Sequence, residues 1–261
     1  AVGAIADVLR QYPRMPFWPQ LPHHHEKELL LPQTGLDLPD AVWDGETLHW
    51  SGELSPTALD AVRTPPPERA AGLHSLLKAL TARPPRERPP VVKGQLVGPL
   101  TLSMVLRDPR GHSPHGDLET MRWLGRFIGH AGAAQARLLQ AAAPGVVLVL
   151  DDPGLASLGK PRLPLSWRVA TEVLREALAP IQATGAIAGI HCCAPLDWTR
   201  ALTARPDLIH FDGREGQLPH LLAHRAALRE LVARGGFLGW GLWPTGDQYA
   251  PWDTPTMAST L

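Results

Sequence analysis

VVLVL, Val146 to Leu150, is a run of five apolar residues set between a Pro144–Gly145 pair and two aspartates, Asp151 and Asp152. Such a run is too short for a helix, and an apolar run closed by turn residues reads as a buried strand of a parallel sheet. Upstream, Leu118, Met121, Leu124, Phe127, Ile128, Ala131 and Leu138 recur at helical spacing until Pro144 and Gly145 stop the segment. Downstream, Ser166 can cap a second helix carrying Val169, Val173, Leu174, Ala177 and Ile181, which Gly185 ends. A strand between two amphipathic helices is the unit of an α/β fold.

The same unit repeats outward. VVKGQLV (Val91 to Val97), AIAGIHC (Ala186 to Cys192), LIHFD (Leu208 to Asp212) and FLGWGL (Phe237 to Leu242) are further strand candidates. The first ninety residues are less regular, with a strand candidate at MPFW (Met15 to Trp18), a hairpin in AVWDGETLHW turning at Asp44 and Gly45, and a helix around Ala70 to Ala82 between proline-rich loops. These features predict one domain over 1–261, an α/β (β/α)8 barrel of the TIM type with an irregular region and hairpin within 19–90. About six barrel-type strands are visible where eight are needed, so the expected barrel is incomplete at both chain ends. A doubly wound sheet is the alternative, but no Gly-x-Gly-x-x-Gly turn follows a strand, which disfavours dinucleotide binding.

Composition narrows the function. With 25 basic and 25 acidic side chains the chain has no net field to attract nucleic acid or an anionic membrane, and a small neutral or zwitterionic partner fits better. An apolar share of 44% over 261 residues can bury a sizeable core. No apolar run of roughly 18 residues suggests a membrane span, and no charged and apolar leader pattern suggests secretion. The two cysteines, Cys192 and Cys193, are adjacent and close no useful disulfide loop, so a soluble protein of the reducing cytoplasm is expected.

Those cysteines lie in GIHCCAPLDW, Gly189 to Trp198. Side chains two apart on a strand share a face, so His191 and Cys193 project together and Cys192 projects oppositely. An imidazole and a thiolate at the carboxyl end of a barrel strand are good zinc ligands, and a small buried cysteine beside a satisfied core histidine is the competing reading. Asp151, Asp152 and Asp212 also follow apolar strands, where carboxylates are expensive to bury without partners. Each of them can instead cap the following helix. The run LPHHHEKE offers His23 and His25 with Glu26 or Glu28 as a second metal set, but a solvated loop is the preferred reading there. Of the nine tryptophans, Trp240 and Trp243 are the better candidates for lining a pocket.

In order, FWPQLP, VKGQLVGPLT, VLDDPGLASLG, GIHCCAPLDW, DLIHFDG and WGLWPT resemble segments of the short proteins of the cobalamin-independent methionine synthase and uroporphyrinogen decarboxylase superfamily, most of all the methionine synthase catalytic-domain branch. The resemblance covers most of the chain, with the His-x-Cys pair its most specific element. It implies zinc held by His191 and Cys193, with Asp212 where the larger enzymes have a glutamate ligand. It implies that Asp151, with Asp152 beside it, meets the amino end of homocysteine, and that Gly98, Pro99 and Thr101 line the pocket. Gln95 and Trp243 are further expected substrate contacts. The implied activity is zinc-dependent methyl transfer to a small thiol such as homocysteine, giving methionine. The implied methyl donor is a methylated corrinoid protein or a folate. A uroporphyrinogen-decarboxylase-like enzyme and a non-catalytic barrel binding a small molecule or a corrinoid partner are the alternatives. The family's second, distant cysteine and its early Gly-Ser-Leu-Pro segment are missing; a chain cut at both ends is the expected cause, with natural loss of the metal site as the competitor.

Overall fold

The computed structural model describes residues 1–213 and 218–241. Its strands are β1 (Val42–Trp43), β2 (Leu48–His49), β3 (Val91–Val97), β4 (Leu106–Arg107), β5 (Gly145–Asp151), β6 (Ile187–Cys192), β7 (Leu208–Asp212) and β8 (Phe237–Gly241). Its α-helices are α1 (Val2–Gln11), α2 (Leu30–Gly35), α3 (Pro56–Ala61), α4 (Ala71–Thr81), α5 (Pro99–Val105), α6 (Leu118–Gln140), α7 (Trp167–Gln182), α8 (Trp198–Ala201), α9 (Leu218–Leu222) and α10 (Arg225–Ala233).

The VVLVL run lies within β5, second in a five-stranded parallel sheet ordered β3-β5-β6-β7-β8. Spatial order follows chain order, and right-handed crossovers between successive parallel neighbours put their helices on one side. The covered face is apolar: Val92, Leu96, Leu148, Leu150, Ala188, Ile190 and Ile209 are buried in one core. The opposite face carries Lys93, Gln95, Asp151, His191 and His210, each partly exposed. This alternation of period two is what separates a scaffold face from a working face.

Local chemistry fixes the two long helices. Asp117 accepts from Glu119 N at the start of α6, and Ser166 accepts from Val169 N at the start of α7. The two helices approach closely through small residues: a Cβ on Gly125 would lie 2.5 Å from Val173 O, and one on Gly129 would lie 2.8 Å from Glu176 O. Beneath them, Gln135 of α6 accepts from Trp18 Nε1 at 2.9 Å and donates to Gln95 O at 3.2 Å, tying helix, strand and amino-terminal segment together.

The hairpin expected in AVWDGETLHW forms, with Val42 opposite His49 and Trp43 opposite Leu48. Asp44 accepts from Glu46 N and Thr47 N, and Gly45 takes φ +104° in the turn. β2 then pairs in parallel with β4, making a small second sheet. The MPFW segment contributes a single parallel bridge, Phe17 to Lys93, on the outer side of β3. Trp18, Leu48, Trp50 and Leu73 from the irregular region share one buried cluster with Leu148 and Ile190.

The α/β class and the parallel sheet thus stand, but the closed eight-stranded barrel is not formed by the described residues. Five strands and one bridge make an open sheet. No described helix is long and apolar enough to cross a membrane.

Candidate active site

The helix-free face of the sheet gathers a row of polar side chains across three strands. Asp151 at the end of β5 is in register with His191 of β6, and His191 is in register with His210 of β7. The carboxyl ends of parallel strands are where α/β folds place their ligands. His191 Nδ1 lies 3.1 Å from His210 O. A carbonyl oxygen only accepts, so Nδ1 carries the proton, and in the neutral ring Nε2 keeps its lone pair. That Nε2 is 3.9 Å from Asp151 Oδ1, with the two side chains 21% and 35% exposed. The His191 and His210 rings stand 4.6 Å apart, tilted by 40°.

From β3, Lys93 and Gln95 face the same side. Gln95 Nε2 donates to Trp18 O at 2.9 Å, which orients the amide so that its Oε1 accepts from Lys93 Nζ at 3.3 Å. Burial pulls the Lys93 ammonium down to about 8, against the opposing pull of Asp151. Burial raises Asp151 above the usual carboxylate range, while His191 and Lys93 hold it down. Burial, then the cationic forms of His191 and Lys93, push His210 down to about 4. At neutral pH, His210 is therefore uncharged, while Lys93 is mostly cationic.

Asp152 has a different position from the substrate contact expected of it. It is wholly buried, accepting from Leu100 N at 3.2 Å, Thr101 N at 2.7 Å and Thr101 Oγ1 at 2.6 Å. Thr101 Oγ1 accepts in turn from Gly154 N at 2.8 Å. A Cβ on Gly98 would overlap the Asp152 carboxyl, so only glycine allows this approach. Asp152, Gly98 and Thr101, read from sequence as pocket residues, form a closed latch between the end of β5 and the first turn of α5. Burial raises the Asp152 carboxyl to about 7 against those hydrogen bonds.

The expected metal set is not assembled. Cys193 is exposed and borders a small cavity with Asp212, Cys192, Trp198, Phe211 and Leu221, and His191 is not among the residues lining it. Cys192 is buried on the helix-covered side with Sγ 3.6 Å from Ala194 O, and burial raises its thiol to about 11. No group of three or more His, Cys, Asp or Glu side chains among the described residues is placed to hold a metal ion. Zinc normally takes at least three protein ligands, so His191, Cys193 and Asp212 as placed do not fit it.

Two other expectations change. Trp240 pairs in register with Phe211 and meets its ring edge-on at 4.9 Å, on the side away from Asp151. Trp243 lies outside the described residues. In the histidine run, His23, His24, His25, Glu26 and Lys27 are exposed as the solvated-loop reading expects, whereas Glu28 is fully buried, with Oε1 3.0 Å from His24 Nδ1, and His25 Nδ1 accepts from Lys27 N. The residues missed in the sequence are Lys93 and His210. Their signal was parity: Lys93 is two before Gln95, and His210 alternates with the buried Ile209 and Phe211 of LIHFD.

The chain matches no protein-family model and no curated protein.

Proposed function

We propose that the protein is an enzyme that transfers a methyl group to the sulfur of a small amino thiol of homocysteine type. In this reading the sheet is an arc of a (β/α)8 wall, and the helix-free face is its interior. The observation that carries the proposal is the convergence of an open carboxylate, Asp151, with the Nε2 of His191, 3.9 Å away. Among the described residues, the Asp151 carboxylate accepts no hydrogen bond from a side chain or backbone N–H, its nearest partner being the His191 ring nitrogen at 3.9 Å, while its backbone carbonyl is taken by Gly98 N. A substrate ammonium would satisfy it, and the same substrate's thiol would then lie near His191.

The chemistry balances without a protein-bound intermediate. The thiol proton passes to His191 Nε2, while the Nδ1–H bond to His210 O holds the ring and stabilises its cationic form. The sulfur lone pair forms the S–CH3 bond, and the donor's bond to that methyl breaks with its electron pair left on the donor; a folate nitrogen takes a proton as it leaves, returned from His191, whereas with a corrinoid His191 gives its proton back to solvent. A methylated corrinoid protein or a folate is the proposed donor, from the sequence resemblance. Zinc would supply thiolate activation if bound, but the described ligands fall short of a site, so no step uses it. Two free cysteines suit the cytoplasm, the proposed location.

The experiment is methyl transfer from methylcobalamin or methyltetrahydrofolate to homocysteine, with methionine measured by mass spectrometry. We expect turnover by the wild type and a loss of roughly 100- to 10,000-fold in His191→Ala, the range for a removed general base. Absence of transfer with both donors, together with release of carbon dioxide from a porphyrinogen carboxylate, would replace this reading with the decarboxylase one.

A further inference from the structure

Lys93 has no role in the chemistry above, yet it is the one cation on the described helix-free face that is built in from β3. Its ammonium has three donors, of which Gln95 Oε1 takes one at 3.3 Å. It makes no ion pair within 4.0 Å with Asp151, although the two are close enough to influence each other. Both therefore stay open on one side of the sheet, opposite in sign and not closed on each other. Burying two such charges is costly unless a third party completes them.

Orientation adds to this. Gln95 is two residues nearer the carboxyl end of β3 than Lys93, and its amide is fixed by Trp18 O. A lysine whose ammonium bonds to that amide is drawn along the strand toward the end where Asp151 and His191 stand. Gln95 is thus a positioning residue, acting through the lysine it aims.

We propose that Lys93 binds the carboxylate of the substrate, so that Lys93 and Asp151 together select a zwitterionic thiol over a thiol carrying only one of the two charges. This rests on the amino-thiol reading of the same site. It adds a specificity residue and a defined ligand end, and it predicts the order of affinities among simple analogues.

The test is isothermal titration of the full chain with three probes: homocysteine, 4-mercaptobutyrate, which lacks the ammonium, and 3-aminopropane-1-thiol, which lacks the carboxylate. Wild type should bind homocysteine most tightly. Lys93→Met should weaken homocysteine and 4-mercaptobutyrate by roughly 10- to 100-fold, the range for losing a charge-assisted hydrogen bond, and leave 3-aminopropane-1-thiol unchanged. Asp151→Asn should show the reverse preference. If Lys93→Met does not fold, Lys93→Gln and Gln95→Leu carry the same comparison, Gln95→Leu with a smaller loss on the two carboxylate probes. Unchanged 4-mercaptobutyrate binding in a folded Lys93 variant overturns the assignment while leaving the amino-thiol reading intact. Lys93-dependent binding of 4-mercaptobutyrate without any binding of homocysteine overturns the selection of a zwitterion together with the amino-thiol reading, leaving Lys93 only as a carboxylate contact. Wild-type protein that binds none of the three overturns both.

Discussion

Replacing Asp152 with alanine separates a latch from a substrate contact. The carboxylate accepts two backbone N–H groups, Leu100 and Thr101, and the Thr101 hydroxyl, all at the first turn of α5. Removing it orphans buried donors at about 1–3 kcal/mol each. Part of that is offset because the native carboxyl is itself unfavourably buried, as its rise to about 7 indicates. A net loss of about 2–4 kcal/mol is expected, which for a chain of this size lowers Tm by roughly 4–16 °C. Circular dichroism melting measures it. The pH dependence gives a second signature. The folded value of about 7 exceeds the usual 3.8, so between these pH values the unfolded chain has released a proton that the folded one retains. This contribution to wild-type stability is fully present below about pH 4 and is lost as pH rises through about 7. The alanine variant lacks that slope, so its deficit should be larger at pH 4 than at pH 8. An alanine variant with wild-type Tm and a selective loss of thiol binding would make Asp152 a substrate residue after all.

Three further outcomes follow from the same structure. Thiol-carboxylate binding should decline as pH rises through about 8, where Lys93 loses its charge, as titration at pH 7 and pH 9 would show. The folded lysine sits below its usual 10.5, so the unfolded chain binds more protons between the two values; stability should rise with pH there, and a folded Lys93→Met should lack that rise. Gly129→Leu should force α6 from α7, because even a Cβ would fall 2.8 Å from Glu176 O, and denaturant melts should register a loss of about 1–3 kcal/mol.

The sheet was legible because buried parallel strands are short apolar runs with sharp ends. VVKGQLV and LIHFD match β3 and β7 residue for residue. The Ser166 cap and the Asp44–Gly45 turn were legible for the same reason, since each is local chemistry with a fixed spacing. The expected closure into a barrel is not formed by the described residues, and closure depends on pairing between distant edges that no local pattern encodes. In the site, strand parity brought Asp151 and His191 to one face. It failed at Cys193, which lies just past the end of β6, where the alternation no longer governs direction. Asp152 was misread because its partners, Leu100 and Thr101, are about fifty positions away and use backbone N–H groups that every residue possesses. Lys93 was overlooked because a lysine inside an apolar strand reads as a surface position until the second face of the sheet is known.

Whether the helix-free face is the working face can be decided with ring-labelled histidine. Titrating homocysteine into the protein while following the imidazole resonances should move those of His191 and His210 along saturable curves and leave in place those of the exposed His49, on the small second sheet, and His112. Rings of His191 and His210 that stay unmoved while homocysteine demonstrably binds would put the ligand elsewhere and end the case for this site.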